Sequence, residues 1–316
     1  MRRVALIYNP ASGQYSARRD AAIRSALAVF REAGVEAKAY ITDSPDSAAL
    51  HAREAVNGGC DAIVACGGDG TVHAVLQALV GTSVALGVIP LGTANALAAN
   101  LGLLGSPAKV ARILIGASPQ RFPVGRIHFH DDKGAEDSRY FLVAAGVGAD
   151  ALLMSRLDPG LKRRLGYLLY LIEAFRLWAT HPFPLFEAKY ALNGSGTAQV
   201  SEVSQLLAVR VRSFGGALRE LAPGASLHSG QLHLLAFATR SRVRYMRFLL
   251  AVLAGRHTFA GEVELVETAA VDCHACNGSK EALFVEADGE VLGLLPARMD
   301  TVADALTLLV PPNAQP

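Results

Sequence analysis

The chain has 316 residues, 51% of them hydrophobic and 18% charged, with a net charge of +2. That composition excludes a disordered chain and allows two domains of ordinary size with sizeable cores. The small positive balance gives no electrostatic case for a nucleic-acid partner.

The opening stretch MRRVALIYNP reads as a strand over Val4 to Tyr8 that breaks at Asn9-Pro10, and its apolar run is too short for a secretory signal. ARRDAAIRSALAVFREAG places Ile23, Leu27 and Phe30 on one helical face and stops at Gly34. VEAKAYIT is a second strand, PDSAALHAREAVNGG a second helix and DAIVAC a third, fully buried strand. The turn CGGDGTVHAV follows, with a helix expected from about Thr71 to Val80. There Gly67, Gly68 and Gly70 clear side chains from a tight turn beside Asp69. Free N–H groups and the positive end of the helix dipole then favour an anion, above all a phosphate. The strand VALGVIP, the turn LGTAN and a further helix complete the series. Such alternation predicts a mostly parallel sheet covered on both faces, with ligands at the carboxyl ends of its strands. Both glycine turns, 67–70 and 91–93, lie at such ends.

From about residue 121 short β-like runs dominate: RYFLVAAGV, LFEAKYAL, SQLLAVRV, QLHLLAFA, EVELVET and ALFVEA, separated by turn signals such as NGSG and DG. The expected architecture is an α/β N-terminal nucleotide-binding domain over 1–122 and a mostly antiparallel β domain over 123–316, whose last strand is free to return to the first. Helical stretches at 161–179 and 241–253 interrupt the β domain. Arg240, Arg244 and Arg247 share one face of the second, with Val243, Met246, Leu250 and Leu253 on another. A basic amphipathic helix suits an anionic lipid surface, and equally a helix packed on the β domain with solvated arginines. LGYLLYLIEAFRLWA carries Glu173 and Arg176 and falls short of the ~18 charge-free apolar residues of a span. A cytoplasmic chain with peripheral membrane contact is expected. CHAC at 273–276 has the gap of a zinc half-site, but no second pair matches it, and two small residues in a strand or loop is the simpler reading. His128 and His130 in RIHFHDDK alternate as on an exposed strand face.

Four stretches carry the chemistry: NPASG (9–13), GGDGT (67–71), PLGTANALA (90–98) and DGE (288–290). With AAGVGADA (144–151), KRRLGYLLY (162–170) and FGGALRELAP (214–223) they run in order over almost the whole chain. Together they resemble the diacylglycerol kinase catalytic-domain superfamily, and within it the soluble bacterial lipid kinases related to sphingosine and ceramide kinases. GGDGT alone is shared with NAD kinases; followed by PLGTAN and a late DGE it is far more specific. The resemblance implies an ATP-dependent lipid kinase using Mg2+. Gly67, Gly68, Asp69, Gly70 and Thr71 would cradle nucleotide phosphates, with Asn9 and Ser12 bordering the nucleotide. Gly92, Thr93 and Asn95 would form a second loop, although Thr93 also suits a helix cap and Asn9 an Asx turn. Asp69 and Asp288 would order magnesium, and Asp69, Asp288 and Glu290 would be catalytic. Glu290 would be the general base toward a lipid hydroxyl, a task helped by a raised pKa. Asp288 would share a face with Glu290 if the run is extended, or simply turn the chain with Gly289.

The chain departs from many relatives at Ala96 and Ala74, where they carry acidic residues, and at His228 and Ser229, where some bind a structural magnesium. The resemblance implies a membrane lipid as acceptor, by default diacylglycerol. Sphingoid bases, ceramide, phosphatidylglycerol-type lipids, an NAD kinase-like activity and a non-catalytic, nucleotide-responsive membrane-binding protein are the alternatives. A homodimer is compatible with the sequence, which does not fix oligomeric state.

Overall fold

The computed structural model describes residues 1–10, 16–156, 167–192, 198–214, 221–253, 263–276, 281–312 and 314, with side chains at 16–18, 167–171, 248–250 and 252–253 left aside. The chain divides into two compact units, Met1–Val124 with Ala303–Pro316, and Gly125–Val302.

In the first unit, β1 (Arg3–Tyr8), β2 (Glu36–Ile41), β3 (Ala62–Gly67) and β4 (Ala85–Pro90) alternate with α1 (Ser16–Glu32), α2 (Pro45–Asn57), α3 (Asp69–Leu79), α4 (Ala96–Asn100) and α5 (Pro107–Ile115). The strands pair in parallel in the order β4-β3-β1-β2. The last strand of the chain, β15 (Glu290–Val310), adds its C-terminal stretch to β4, pairing Thr307 with Ala85 in parallel. Each central strand is buried on both faces, as in Ala62–Gly67, where every residue is buried, because helices cover both sides. Right-handed crossovers put α1 on one face and α2 and α3 on the other. The packing of α1 on α5 and of α2 on α3 agrees. Strand order reverses at β1, so the carboxyl ends of β1 and β3 flank a topological switch point, the usual ligand position in such sheets.

Local signals set the helix starts. Ser44 caps α2 in a reciprocal capping box with Ser47, and Pro45 follows at the first helical position. Ser106 caps α5 one way, its Oγ accepting the Lys109 N–H, and Pro107 follows at the first helical position. α3 begins at Asp69, two residues before the expected Thr71, because Gly68 is extended (φ −91°, ψ −172°) and serves as N-cap. Asp69 then sits in the first turn, where its charge complements the helix dipole. Thr93 does not cap α4: Asn95 holds that position, in the left-handed region at φ +51°.

In the second unit the described strands pair antiparallel. β6 (Glu136–Phe141) pairs with the N-terminal strand of this unit, β5 (Ser118–His130). β12 (Val263–Thr268), β11 (Leu232–Phe237), β10 (Gln205–Val209), β7 (Ala144–Gly148), β14 (Phe284–Ala287) and β15 follow one another across the sheet. β13 (Ala270–Ala275) joins β15 to β8 (Phe186–Ala191), which pairs with β9 (Ala198–Val203). Phe141, Phe186, Tyr190, Val285 and Met299 lie in its core. β5 shows the alternation read in RIHFH, with Ile127 and Phe129 buried between half-buried Arg126, His128 and His130, whereas β9 is exposed over most of its length. Helices α6 (Ala149–Arg156), α7 (Tyr167–Thr180) and α8 (Arg242–Leu253) decorate this unit. Cys273 of CHAC is wholly buried in the core, where burial pushes its thiol up. The turn NGSG, most of FGGALRELAP and residues 162–166 lie outside the described residues.

Candidate active site

In the first unit the glycine turns are locked together. Gly67 ends β3, Gly68 caps α3, and Asp69, Gly70 and Thr71 form its first turn. The Leu91 N–H donates to Gly67 O (2.8 Å), tying the turn after β4 to the turn after β3. A Cβ on Gly92 would come within 2.4 Å of the Gly68 Cα. Asn95 closes the second turn on itself. Its Nδ2 donates to Gly92 O (2.8 Å) and its Oδ1 accepts the Gly92 N–H (2.9 Å). Asp69 completes the clamp: Oδ2 accepts the Asn95 N–H (3.0 Å) and Oδ1 the Ala96 N–H (2.8 Å). The carboxylate thus caps the start of α4 from a different helix. Ala96 is buried and serves through its backbone N–H.

Arg19 of α1, absent from the sequence-based set, joins this assembly. It donates to Asn9 O (3.2 Å) and to Leu91 O (2.7 Å), linking the loop after β1 to the second glycine turn. Partial burial lowers its pKa, though the guanidinium stays charged. Its two carbonyl partners are invisible in a linear pattern, since they lie 10 and 72 residues away. Ser12 lies outside the described residues; Asn9, Gly67, Gly68, Asp69, Gly70, Thr71, Gly92, Thr93 and Asn95 lie at the carboxyl ends of β1, β3 and β4. Gly92→Ala should push the two turns apart and weaken ATP binding about tenfold or more, equivalent to ~1–3 kcal/mol of overpacking. Titration of the full chain with a fluorescent ATP analogue reads this directly; unchanged affinity would show that the close approach is dispensable.

In the second unit, Asp288 and Gly289 form a two-residue hairpin turn between β14 and β15, with Ala287 opposite Glu290. Both turn residues have positive φ, +50° and +84°, the pattern that favours Asp-Gly. The run is therefore not extended, and Asp288 and Glu290 do not share a face as two alternate strand residues would. Asp288 turns inward. Its Oδ1 accepts the N–H groups of Val143 (2.8 Å) and Ala144 (3.2 Å), and its Oδ2 that of Leu142 (3.1 Å). The wholly buried Arg210 faces this charge; burial lowers the guanidinium to about 10 and Asp288 works against that shift. Glu290 is exposed.

Two carboxyls are pushed upward by their surroundings, Glu286 and Asp150, and neither was among the residues singled out from the sequence. Glu286 is 5% exposed, and burial together with Asp150, Asp288 and Glu290 pushes it well above the ordinary range. Its Oε2 accepts the Gly289 N–H (2.8 Å), so it also braces the hairpin turn. Burial pushes Asp150 up to about 6. Gly146, which faces Glu286 across the β7–β14 pairing, leaves the room: a Cβ there would lie 2.1 Å from Asp150 Oδ2. Glycine four residues before an aspartate, in AAGVGADA, was the available signal for that pocket.

The donor set can be compared with the chemistry of ATP and magnesium. The side-chain-free turns and the start of α3 suit a polyphosphate. The two carboxylates assigned to magnesium are already hydrogen-bonded to backbone, Asp69 twice and Asp288 three times. Among the described residues no group of three or more His, Cys, Asp or Glu side chains is arranged to hold a metal ion. Such carboxylates suit water-mediated contact with an ion that keeps its own waters and binds chiefly phosphate.

Comparison with known proteins matches this geometry to a lineage. Residues 3–127 match the diacylglycerol kinase catalytic domain, and residues 142–310 the YegS C-terminal NAD kinase beta sandwich-like domain. A diacylglycerol kinase of Mycobacterium tuberculosis is 31% identical, over 98% of this chain and 95% of its own. A diacylglycerol kinase structure from Bacillus anthracis str. Sterne superposes with a TM-score of 0.69 at 16% identity, covering 99% of this chain and 98% of that one. Yeast NADH kinase shares the fold more distantly, with a TM-score of 0.54 at 10% identity over 99% of this chain and 84% of its own. Matches across both units, over nearly the full length of a named relative, place this chain among the ATP-dependent lipid kinases: it belongs to the diacylglycerol kinase catalytic-domain family.

Proposed function

We propose that this chain transfers the γ-phosphate of Mg-ATP to the free hydroxyl of a membrane lipid, diacylglycerol. The observation that carries the reading is the pair of glycine turns at the switch point, clamped by Asp69 and Asn95 in a chain whose full-length relative is named a diacylglycerol kinase. The turns and the start of α3 would hold the phosphates, while Arg19 fixes the Asn9 loop beside them. Magnesium would neutralise phosphate charge, with Asp69 contacting it through water. Glu290, exposed on its hairpin, would take the proton of the lipid hydroxyl. That oxygen then bonds to the γ-phosphorus as the bond to the bridging oxygen of ADP breaks, leaving a phosphorylated lipid. Asp288 holds the hairpin rather than the proton.

The test is transfer of labelled γ-phosphate from ATP, with magnesium, to a panel of lipids in mixed micelles, run beside Glu290→Gln. Transfer to diacylglycerol, lost in the variant, is expected. Transfer that survives in the variant would remove Glu290 as base. Transfer to a sphingoid base, ceramide or phosphatidylglycerol instead would reassign the acceptor. The shared fold with yeast NADH kinase supports one second reading, a soluble dinucleotide acceptor, and NAD in the same panel decides it.

A further inference from the structure

Among the described residues no helix is long and apolar enough to cross a membrane, yet one surface of the second unit is poorly suited to water. Ile172, Phe175 and Trp178 follow one another at three-residue spacing along α7, which places them on one ridge. Phe175 and Trp178 have ring centroids 5.4 Å apart. The Trp178 Nε1–H donates to Arg242 O (2.8 Å), bringing this ridge to the start of α8. The next residue, Val243, is 68% exposed, and Phe175 is 60% exposed. The opposite side of the pair is anchored: Leu177 is buried, and Tyr245 stacks on Phe183 (4.1 Å) and bonds Ser204 (2.7 Å). The exposed residues are therefore held outward by a fixed core.

Along α8 and its approach, residues 240–253, the charge has one sign. Arg240, Arg242, Arg244 and Arg247 are all exposed, and no Asp or Glu occurs from 240 to 253. Glu173, the one acid of α7, is paired with Arg176 at 3.0 Å. Aromatic and aliphatic side chains rimmed by arginines match the acyl boundary and the anionic headgroups of a phospholipid surface. The acid-free run of arginines favours that surface over a protein partner of mixed charge.

We infer that the exposed edge of the α7–α8 pair docks this chain on an anionic phospholipid bilayer, with Phe175, Trp178 and Val243 inserted and the arginines at the headgroups. The inference deepens the lipid-kinase reading, which supplies the reason for the surface, but its test needs no turnover.

The full chain would be sedimented, without ATP, with vesicles of phosphatidylcholine containing about a third phosphatidylglycerol, and with phosphatidylcholine alone. Binding to the anionic vesicles is expected, weakened about tenfold in Phe175→Ser/Val243→Ser and in ~0.5 M salt. Arg240→Glu/Arg244→Glu should abolish the preference for phosphatidylglycerol. Unchanged thermal melts would confirm that the variants fold. Wild type left in the supernatant, or variants that bind like wild type, would overturn the inference. So would a dimer, seen by light scattering, that Phe175→Ser dissociates while no vesicle binding occurs; a second copy of the chain would then own the surface. Phosphorylation of a dispersed short-chain diacylglycerol separates the two ideas. Vesicle binding without any such transfer would sink the kinase reading alone. Transfer without vesicle binding would sink this one alone.

Discussion

Replacing Asp288 with alanine should destabilise the second unit by about 4–6 kcal/mol, whatever happens to activity. Three backbone N–H groups, at Leu142, Val143 and Ala144, lose their acceptor. All three residues are buried, so water is a poor substitute. An unpaired buried donor costs about 1–3 kcal/mol. The φ of +50° at this position adds a strain of ~1 kcal/mol for alanine. Arg210, wholly buried, also loses the opposing charge. Asp288→Gly removes the carboxylate but not the permitted backbone, so it should be about 1 kcal/mol milder than alanine. Asp288→Asn should be milder still. Its carbonyl can serve Val143 and Ala144, while its NH2 group meets the Leu142 N–H as donor against donor. The order Ala, Gly, Asn is the diagnostic result. The lone tryptophan, Trp178, lies in this unit, so urea unfolding followed by its fluorescence reads the right part of the chain. Equal stability of the alanine variant and wild type would mean that the anchor carries no weight.

This anchor shows what a linear reading delivers and what it misses. The parallel sheet of the first unit announced itself because apolar strand runs such as DAIVAC alternate with helical periods such as ARRDAAIRSALAVFREAG. The glycine turns were legible because spacing alone puts them at strand ends. Their coupling was not, since Gly68 and Gly92 meet only when β3 and β4 pair in register. Asp69 reads in sequence as a carboxylate aimed at a ligand; folded, it caps a helix that starts 27 residues later. Asp288 has a similar history. The Asp-Gly pair signals a two-residue hairpin, and recognising that device already removes the shared face with Glu290. Glu286 looked like one acid among three in VEADGE. Its burial follows from β14 lying between β7 and β15, a fact of pairing that no local window contains.

Asp150→Asn should raise stability near neutral pH by up to ~3 kcal/mol and leave it little changed in acid. Asp150 is pushed from 3.8 to about 6, chiefly by burial, and Glu286 is raised as well. A carboxyl whose folded pKa is raised binds its proton more tightly in the folded state. Its full stabilisation is present below the unfolded value and is lost as pH rises through the folded one. For Asp150 that window runs from 3.8 to about 6. Two units correspond to roughly 3 kcal/mol, and asparagine, neutral throughout, escapes the loss. Other carboxylates bend the curve the other way: Asp61, which accepts the N–H groups of Arg2 and Arg3, is lowered. The quantity to compare is therefore the difference between variant and wild-type urea midpoints from pH 4 to 8. Parallel curves would show that Asp150 titrates normally. Glu286→Gln should behave in the same direction, because its amide oxygen can still accept the Gly289 N–H. The double variant should gain less than the two single gains together. Once one partner is permanently neutral, the other loses part of what raised it, and that shortfall measures the coupling between two carboxyls brought together over Gly146.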